Sequence, residues 1–334
     1  MLSWKKIQSR LVLSGLFFCT QAFAEPAVEF LKQDYVFPNK IDGFPQKLSD
    51  VKGLQINQFK TNDGVTLSYW EAGQGKPLVF IPGWSSNGAE FINVMHLLSK
   101  QYRVIVLDPR NQGLSGKVKY GSRISRFAMD LKQLQDHLKL SKADYVGWSM
   151  GAAVLWSYID LFGTEAINKL VVIDEPIAIY TRSDWSEQER LNAGGMTTSA
   201  ERMIAAFSGA PTNSQVVDMN AMARFMEQDS LFFQNSQGLS KTVIKPEPEY
   251  AMQVMFDHIT NDWRDVVQYK IDVPTAIFTG ELSNNLQSQR WAQSVIAGSK
   301  LFVYSKEEEG DHFLAAKNPV KFVHDLTVFL QQKQ

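Results

Sequence analysis

The sequence has almost no cysteine, no charge bias and no long apolar run. Its 334 residues include one cysteine, Cys19, which excludes a disulfide framework. The sequence has 34 basic and 35 acidic residues, for a net charge of −1. It therefore lacks the excess of positive charge that is typical of nucleic-acid-binding proteins. Metal-binding H-E-x-x-H motifs, glycine-rich phosphate loops and dinucleotide fingerprints are also missing. We therefore expect no metal, no organic cofactor and a small-molecule substrate as the partner.

The first 24 residues have the pattern of a secretory signal peptide. Basic residues precede the apolar stretch 11–18, which is too short to span a bilayer. Ala22 and Ala24 then form the small-x-small pattern that signal peptidase cleaves. We predict cleavage after Ala24, a periplasmic or secreted protein without a membrane span, and loss of Cys19. The alternative is a retained membrane anchor.

From residue 54 onward, short apolar runs alternate with longer stretches of helical spacing. Such alternation predicts an α/β fold with a mostly parallel central sheet flanked by helices. The turn Asn62-Asp63-Gly64 between the first two runs favours a hairpin. The predicted strands are Leu54–Phe59, Val65–Trp70, Pro77–Ile81, Val104–Leu107, Tyr145–Trp148, Leu170–Ile173, Thr275–Thr279 and Leu301–Tyr304.

Two polar residues are expected to begin helices. Ser122 precedes an amphipathic stretch that runs to about Leu140, and Asn318 precedes Pro319 and the final apolar face. A serine or asparagine side chain can accept a hydrogen bond from the first free N–H groups of a helix.

Residues 177–262 interrupt the alternation. They lie between two predicted strands, are too long for a simple connection and have helical patterns with polar faces. We interpret them as a helical cap inserted into a core formed by 54–176 and 263–334. Residues 25–53 contain several turn formers, which predicts an N-terminal extension lying on the core.

The chemical motif is Gly147-Trp148-Ser149-Met150-Gly151, a G-x-S-x-G sequence where a predicted strand turns into a helix. A sharp turn of this kind lifts a serine hydroxyl out of the sheet, and glycines leave room for it. The helix N-terminus supplies free N–H groups close to the serine. The alternative is a chance match, which the strand before and the helix after disfavour.

From about residue 54 to residue 330 the chain resembles the α/β-hydrolase superfamily. Ile-Pro-Gly-Trp at 81–84 stands where the family has its oxyanion loop, with proline replacing the usual histidine. The resemblance implies that the backbone N–H groups of Trp84 and Met150 form an oxyanion hole. The stretch 108–115 is similar to the family's structural D-x-R-G-x-G-x-S loop.

His312 is the expected catalytic base. Of five histidines, it alone follows the last predicted strand in a loop, within Gly-Asp-His-Phe at 310–313. Three others fall inside helical patterns, and His258 falls in the predicted cap. A serine early in the chain and a histidine last is the order typical of this superfamily.

The acid of the triad is less clearly marked. The family usually places an aspartate three residues after the glycine corresponding to Gly280, but residue 283 is serine. Some members, including certain haloalkane dehalogenases, take the acid from the end of the preceding strand, where Asp174 stands. We favour Asp174, while Glu281, Glu175 or a Ser–His dyad remain alternatives.

These residues predict a serine hydrolase of the carboxylic-ester-hydrolase type, acting on a small apolar substrate. Ser149, His312 and Asp174 would form a triad that proceeds through an acyl-enzyme. Serine at the centre of the G-x-S-x-G turn argues against dehalogenase or epoxide hydrolase chemistry, for which the resemblance implies aspartate at that position. One alternative is a non-catalytic binding protein, suggested by the missing aspartate at 283. Another is a non-ester hydrolase or lyase with the same triad.

Overall fold

The computed structural model describes residues 27–195, 199 and 230–332. The predicted signal peptide 1–24 lies outside these residues, as do residues 196–198 and 200–229 of the predicted cap 177–262. Across the described parts of the chain, no helix is long and apolar enough to cross a membrane.

Eight strands form one sheet in the order β1-β2-β4-β3-β5-β6-β7-β8. The pairs β1–β2 and β2–β4 are antiparallel, and the others are parallel. Each strand overlaps its predicted run, so the prediction of a mostly parallel sheet is confirmed. The strands are β1 Gln55–Lys60, β2 Thr66–Ala72, β3 Lys76–Ile81, β4 Tyr102–Leu107, β5 Ala143–Trp148, β6 Ile167–Ile173, β7 Thr275–Gly280 and β8 Lys300–Tyr304.

Apolar clusters cover both faces of the sheet. Successive side chains of a strand point to opposite faces. In β4, accordingly, Val104 and Val106 join one cluster while Ile105 and Leu107 join the other. This two-sided burial is why the strand sequence is continuously apolar.

The described α-helices are Ala27–Lys32, Ile92–Leu98, Ile124–His137, Met150–Phe162, Glu187–Ala193, Leu231–Thr242, Pro248–Ile259, Arg264–Tyr269, Leu286–Val295, Leu314–Lys317 and Pro319–Gln331.

The segment before β1 contributes to the core. Phe30 and Leu48 are buried in the same cluster as Trp70 of β2. The Phe30 ring lies edge-on to the Trp70 indole, with 5.6 Å between ring centroids. This N-terminal segment therefore covers apolar surface that the sheet would otherwise expose.

One of the two predicted helix caps is wrong. Asn318 does cap the last helix, since its side chain accepts the N–H of Lys321 at 3.2 Å. Ser122 does not cap the helix Ile124–His137; its hydroxyl accepts a hydrogen bond from the Asn111 side chain instead. The carboxylate of Asp257 accepts the Ile124 N–H at 2.8 Å. A cap from the helix Pro248–Ile259 therefore replaces the local serine.

A buried arginine holds the loop that follows β4. Arg110 is fully buried and donates two hydrogen bonds of 2.9 Å to Asp130, on the helix Ile124–His137. It donates another of 3.0 Å to Asp63 in the hairpin turn. Arg110 thereby joins a loop, a helix and a turn that are distant in sequence, with both carboxylates satisfying its charge.

Replacement of Arg110 by methionine should lower the free energy of unfolding by about 3 to 5 kcal/mol, because Asp130 would remain a buried charge with Arg126 as its remaining cationic partner. Arg103, which pairs with Glu71 at a partly exposed site, is the control. Arg103→Met should cost about 1 kcal/mol or less. Urea denaturation of both variants measures this, and equal losses would contradict the assigned importance of the buried network.

Candidate active site

Ser149 lies in a strained turn between β5 and the helix Met150–Phe162. Its φ is 54° and its ψ is −133°, a conformation that L-residues rarely adopt. The turn closes only because two neighbours lack side chains. A Cβ on Gly147 would lie 2.7 Å from Ala152 N, and one on Gly151 would lie 2.0 Å from the Ile81 carbonyl oxygen. The glycines of the motif thus allow the serine to stand at the tip of the turn.

The structure brings Ser149, His312 and Asp174 into one hydrogen-bonded series. His312 Nε2 lies 3.0 Å from Ser149 Oγ, and His312 Nδ1 lies 2.7 Å from Asp174 Oδ2. The Asp174 side chain is fully buried, and about a fifth of the His312 side chain is exposed. Ser149 follows β5, Asp174 follows β6 and His312 lies in the loop after β8. All three therefore meet at the carboxyl edge of the parallel strands, the usual place for sites in such sheets.

Three further side chains donate to the Asp174 carboxylate. Thr279 Oγ1 donates to Oδ1 at 2.5 Å, Ser283 Oγ to Oδ2 at 2.8 Å and Asn285 Nδ2 to Oδ2 at 3.3 Å. Asp174 has a positive φ of 49°. Ser283, at the position where the resemblance leads us to expect an aspartate, thus serves as a hydrogen-bond donor to the carboxylate on the neighbouring strand.

The electrostatics favour an ionised carboxylate beside a basic imidazole. Burial raises the pKa of Asp174, but the hydrogen bond and charge of His312, with the Thr279 and Ser283 hydroxyls, more than offset this and lower it. Burial lowers the pKa of His312, but the hydrogen bond and charge of Asp174, with the nearby charge of Glu175, outweigh burial and raise it. The pair is therefore suited to hold an imidazolium once the ring accepts a proton.

The loop that carries His312 is fixed on both sides. Trp148, the residue before Ser149, donates its indole N–H to the His312 carbonyl at 2.8 Å. Asp311 accepts the Phe313 N–H at 2.7 Å and pairs with Lys317 at 2.5 Å, and both charged side chains are buried. Sequence reasoning missed these supports. The signal for the ion pair was an aspartate and a lysine in a segment that is otherwise apolar.

The segment expected to form the oxyanion hole passes beside the serine. A Cβ on Gly83 would lie 3.0 Å from Ser149 Cβ, so the backbone around it contacts the turn directly. Trp84 follows Gly83, and its indole N–H donates to the Ala251 carbonyl at 2.8 Å. Met150 is the first residue of its helix, where N–H groups have no intrahelical acceptor.

The other candidate acids contact different groups. Glu281 accepts a hydrogen bond of 3.3 Å from the Lys306 N–H. Glu175 Oε1 lies 3.0 Å from the Nε2 atom of His258. Of the three carboxylates that the sequence offered, Asp174 is the one that meets His312 Nδ1. No group of three or more His, Asp or Glu side chains suited to a metal ion occurs in residues 27–195 or 230–332.

Such an arrangement can activate a hydroxyl. An imidazole within hydrogen-bond distance of a serine can take its proton as the oxygen attacks an electrophilic carbon. A buried carboxylate on the other ring nitrogen fixes the tautomer and stabilises the imidazolium. Backbone N–H groups at the helix N-terminus can stabilise negative charge that develops next to the serine.

The fold of this chain is similar to that of known proteins. A family model described as alpha/beta hydrolase fold matches residues 76–304. Among solved structures, a bromoperoxidase from Bacillus anthracis is similar with a TM-score of 0.69 at 24% identity, covering 83% of this chain and 100% of the other. An esterase from Exiguobacterium antarcticum has a TM-score of 0.69 at 22% identity, covering 83% and 99%. At these identities the structures support the fold alone.

Curated relatives are similar over part of their length. A non-heme chloroperoxidase of Kitasatospora aureofaciens is 34% identical over 37% of this chain and 46% of its own. The first matches cover less than half of the relatives' length. A pimeloyl-[acyl-carrier protein] methyl ester esterase of Vibrio cholerae is 26% identical over 64% of this chain and 79% of its own.

The contact between His312 and Asp174 predicts how the ring titrates. Because Asp174 raises the pKa of His312, the ring in wild-type protein should stay protonated to a higher pH than a free histidine. Asp174→Asn removes that negative charge and should lower the pKa, whereas Glu281→Gln should leave it in place. NMR of protein with labelled histidine, with the signal assigned from His312→Gln, measures this. A pKa that follows Glu281 instead would contradict the geometry.

Proposed function

We propose that this chain, which belongs to the alpha/beta hydrolase fold family, is a serine hydrolase that cleaves an ester-like bond in a small apolar substrate. The observation that supports this most is the hydrogen-bonded series from Ser149 Oγ through His312 to Asp174. The side chains of this series belong to three loops that converge at one edge of the sheet, and His312 remains partly exposed.

In the proposed reaction His312 Nε2 takes the Ser149 proton as Oγ attacks the carbonyl carbon. The N–H groups of Trp84 and Met150 stabilise the tetrahedral oxyanion. The imidazolium then protonates the leaving alkoxide, which departs as an alcohol and leaves an acyl-serine. His312 next deprotonates a water that attacks the acyl carbon, and the returning proton regenerates Ser149 and releases the acid. Asp174 stays ionised throughout.

Aromatic side chains around the imidazole support an apolar substrate. The Trp148 indole and the Phe313 ring have centroids 5.6 and 5.4 Å from that of the His312 ring. The Phe91 ring lies edge-on to the Trp148 indole, with 6.0 Å between ring centroids. These buried rings make the surroundings of the imidazole apolar, which favours acyl or alcohol groups with little polarity.

Export is a second part of the proposal. The basic start, the short apolar stretch and the Ala-Phe-Ala pattern before Glu25 support cleavage after Ala24 and a periplasmic or secreted location. N-terminal sequencing of the protein recovered from the producing cells tests this. A mature chain that begins at Glu25 would support it, and an uncleaved N-terminus would contradict it.

Hydrolysis of p-nitrophenyl esters from acetate to laurate tests the chemistry. Ser149→Ala should lower kcat by about 10⁴-fold or more, since removal of the nucleophile disables the triad as a unit. Asp174→Asn should lower it by about 10²- to 10⁴-fold. Two controls, Ser294→Ala and Glu281→Gln, should retain activity because neither side chain contacts His312 or Ser149.

An esterase function would be contradicted if none of the esters in the series gave turnover that depends on Ser149. The assignment of the fold would be unaffected in that case. The function would then be that of a non-ester hydrolase, a lyase or a binding protein. Equal activity in wild type and Asp174→Asn would instead be compatible with an esterase function but would contradict the role of Asp174 in the triad.

A further inference from the structure

The helix Pro248–Ile259 contacts the candidate site at two separated points. Near its start the Ala251 carbonyl accepts the indole N–H of Trp84 at 2.8 Å. Near its end His258 Nε2 lies 3.0 Å from Oε1 of Glu175, the residue after Asp174. Residues seven apart share one face of a helix and lie about 10 Å apart along its axis. One helix face therefore spans from the oxyanion-loop segment to the strand end that carries the acid.

The contact between His258 and Glu175 is buried. Their side chains are 5% and 3% exposed. The backbone carbonyl of Glu175 also accepts a hydrogen bond of 2.6 Å from the side chain of Gln289, which fixes this residue at the end of β6. Neither His258 Nδ1 nor Glu175 Oε1 has hydrogen-bond geometry with any residue that the structure describes, so the 3.0 Å contact between the imidazole and the carboxylate is what pairs these two groups. Buried polar groups of this kind are costly unless they are paired.

We propose that Glu175 and His258 are positioning residues for the reaction at Ser149. Their contact holds the helix Pro248–Ile259 against the end of β6, and the Ala251 carbonyl on that helix then holds the Trp84 side chain. The backbone from Gly83 to Trp84, which passes beside Ser149 at Gly83, is thereby held in place. This inference rests on the proposed function, in which Trp84 stabilises the oxyanion.

The proposed link acts on transition-state stabilisation more than on the base. Donors to an oxyanion must lie within a few tenths of an ångström of their best position, and a 1 Å displacement can cost about 100-fold in rate. Neither His258 nor Trp84 contacts Asp174 through a hydrogen bond given by the structure. Loosening the helix should therefore lower kcat, while the hydrogen bond between His312 and Asp174 persists.

The test compares variants of the full chain on the best p-nitrophenyl ester. His258→Ala should lower kcat by about 10- to 100-fold, whereas His258→Gln, which keeps a polar side chain against Glu175, should stay within about threefold of wild type. Trp84→Phe breaks the other end of the link and should give a similar loss. The double variant should lose no more than the worse single variant, because both changes release the same helix. Val254→Ala, a buried change on this helix without a polar contact, should lower Tm but keep kcat.

Backbone hydrogen exchange provides a readout that does not depend on turnover. His258→Ala should speed exchange in peptides that cover 82–92 and 248–259, and should leave those that cover β5 unchanged. Unchanged exchange at 82–92, or losses in His258→Ala and Trp84→Phe that multiply in the double variant, would overturn the proposal. A wild type without Ser149-dependent turnover would instead refute the proposed function, and the exchange measurement would still decide whether the helix holds the loop.

Discussion

The backbone turn at Ser149 is the constraint on which the site depends. A φ of 54° at a serine stores strain that the surrounding structure must offset. Gly147 and Gly151 make the turn possible, because their missing side chains let β5, the following helix and the end of β3 approach closely. The turn places one hydroxyl beyond the sheet edge, where loops after β6 and β8 can reach it.

The position of the carboxylate that contacts His312 follows from the parallel sheet. Strands β6 and β7 are neighbours, with Ile173 paired to Phe278, and adjacent strands lie about 4.8 Å apart. A carboxylate at either strand end can therefore reach the same imidazole. In this chain Asp174 provides the carboxylate, and the residue at 283 donates a hydroxyl to it. The serine that made the sequence look incomplete is consistent with an intact carboxylate–imidazole pair.

Local patterns predicted the sheet and the serine turn, because each depends on residues close in sequence. Continuous apolar runs marked the strands, and the motif at 147–151 marked the turn. The choice among Asp174, Glu281 and Glu175 depended on which carboxylate lies next to His312 Nδ1, and a sequence pattern does not determine that.

Long-range contacts account for what sequence reasoning got wrong or missed. The N–H of Ile124 is capped by Asp257, 133 residues later, and not by Ser122. The contact between Glu175 and His258 joins a strand end to a helix in the region expected to form the cap. Such pairings depend on how distant elements pack, so the spacing of residues along the chain does not predict them.

Whether Ser149 is a nucleophile activated by His312 is tested most directly by covalent labelling with a fluorophosphonate, followed by intact-mass measurement and peptide mapping. We expect one adduct per molecule, located on the peptide that contains Ser149, with no adduct in Ser149→Ala and much slower labelling in His312→Ala. A folded wild-type protein that does not react, or that reacts equally well without Ser149 or His312, would contradict a nucleophilic serine activated by His312.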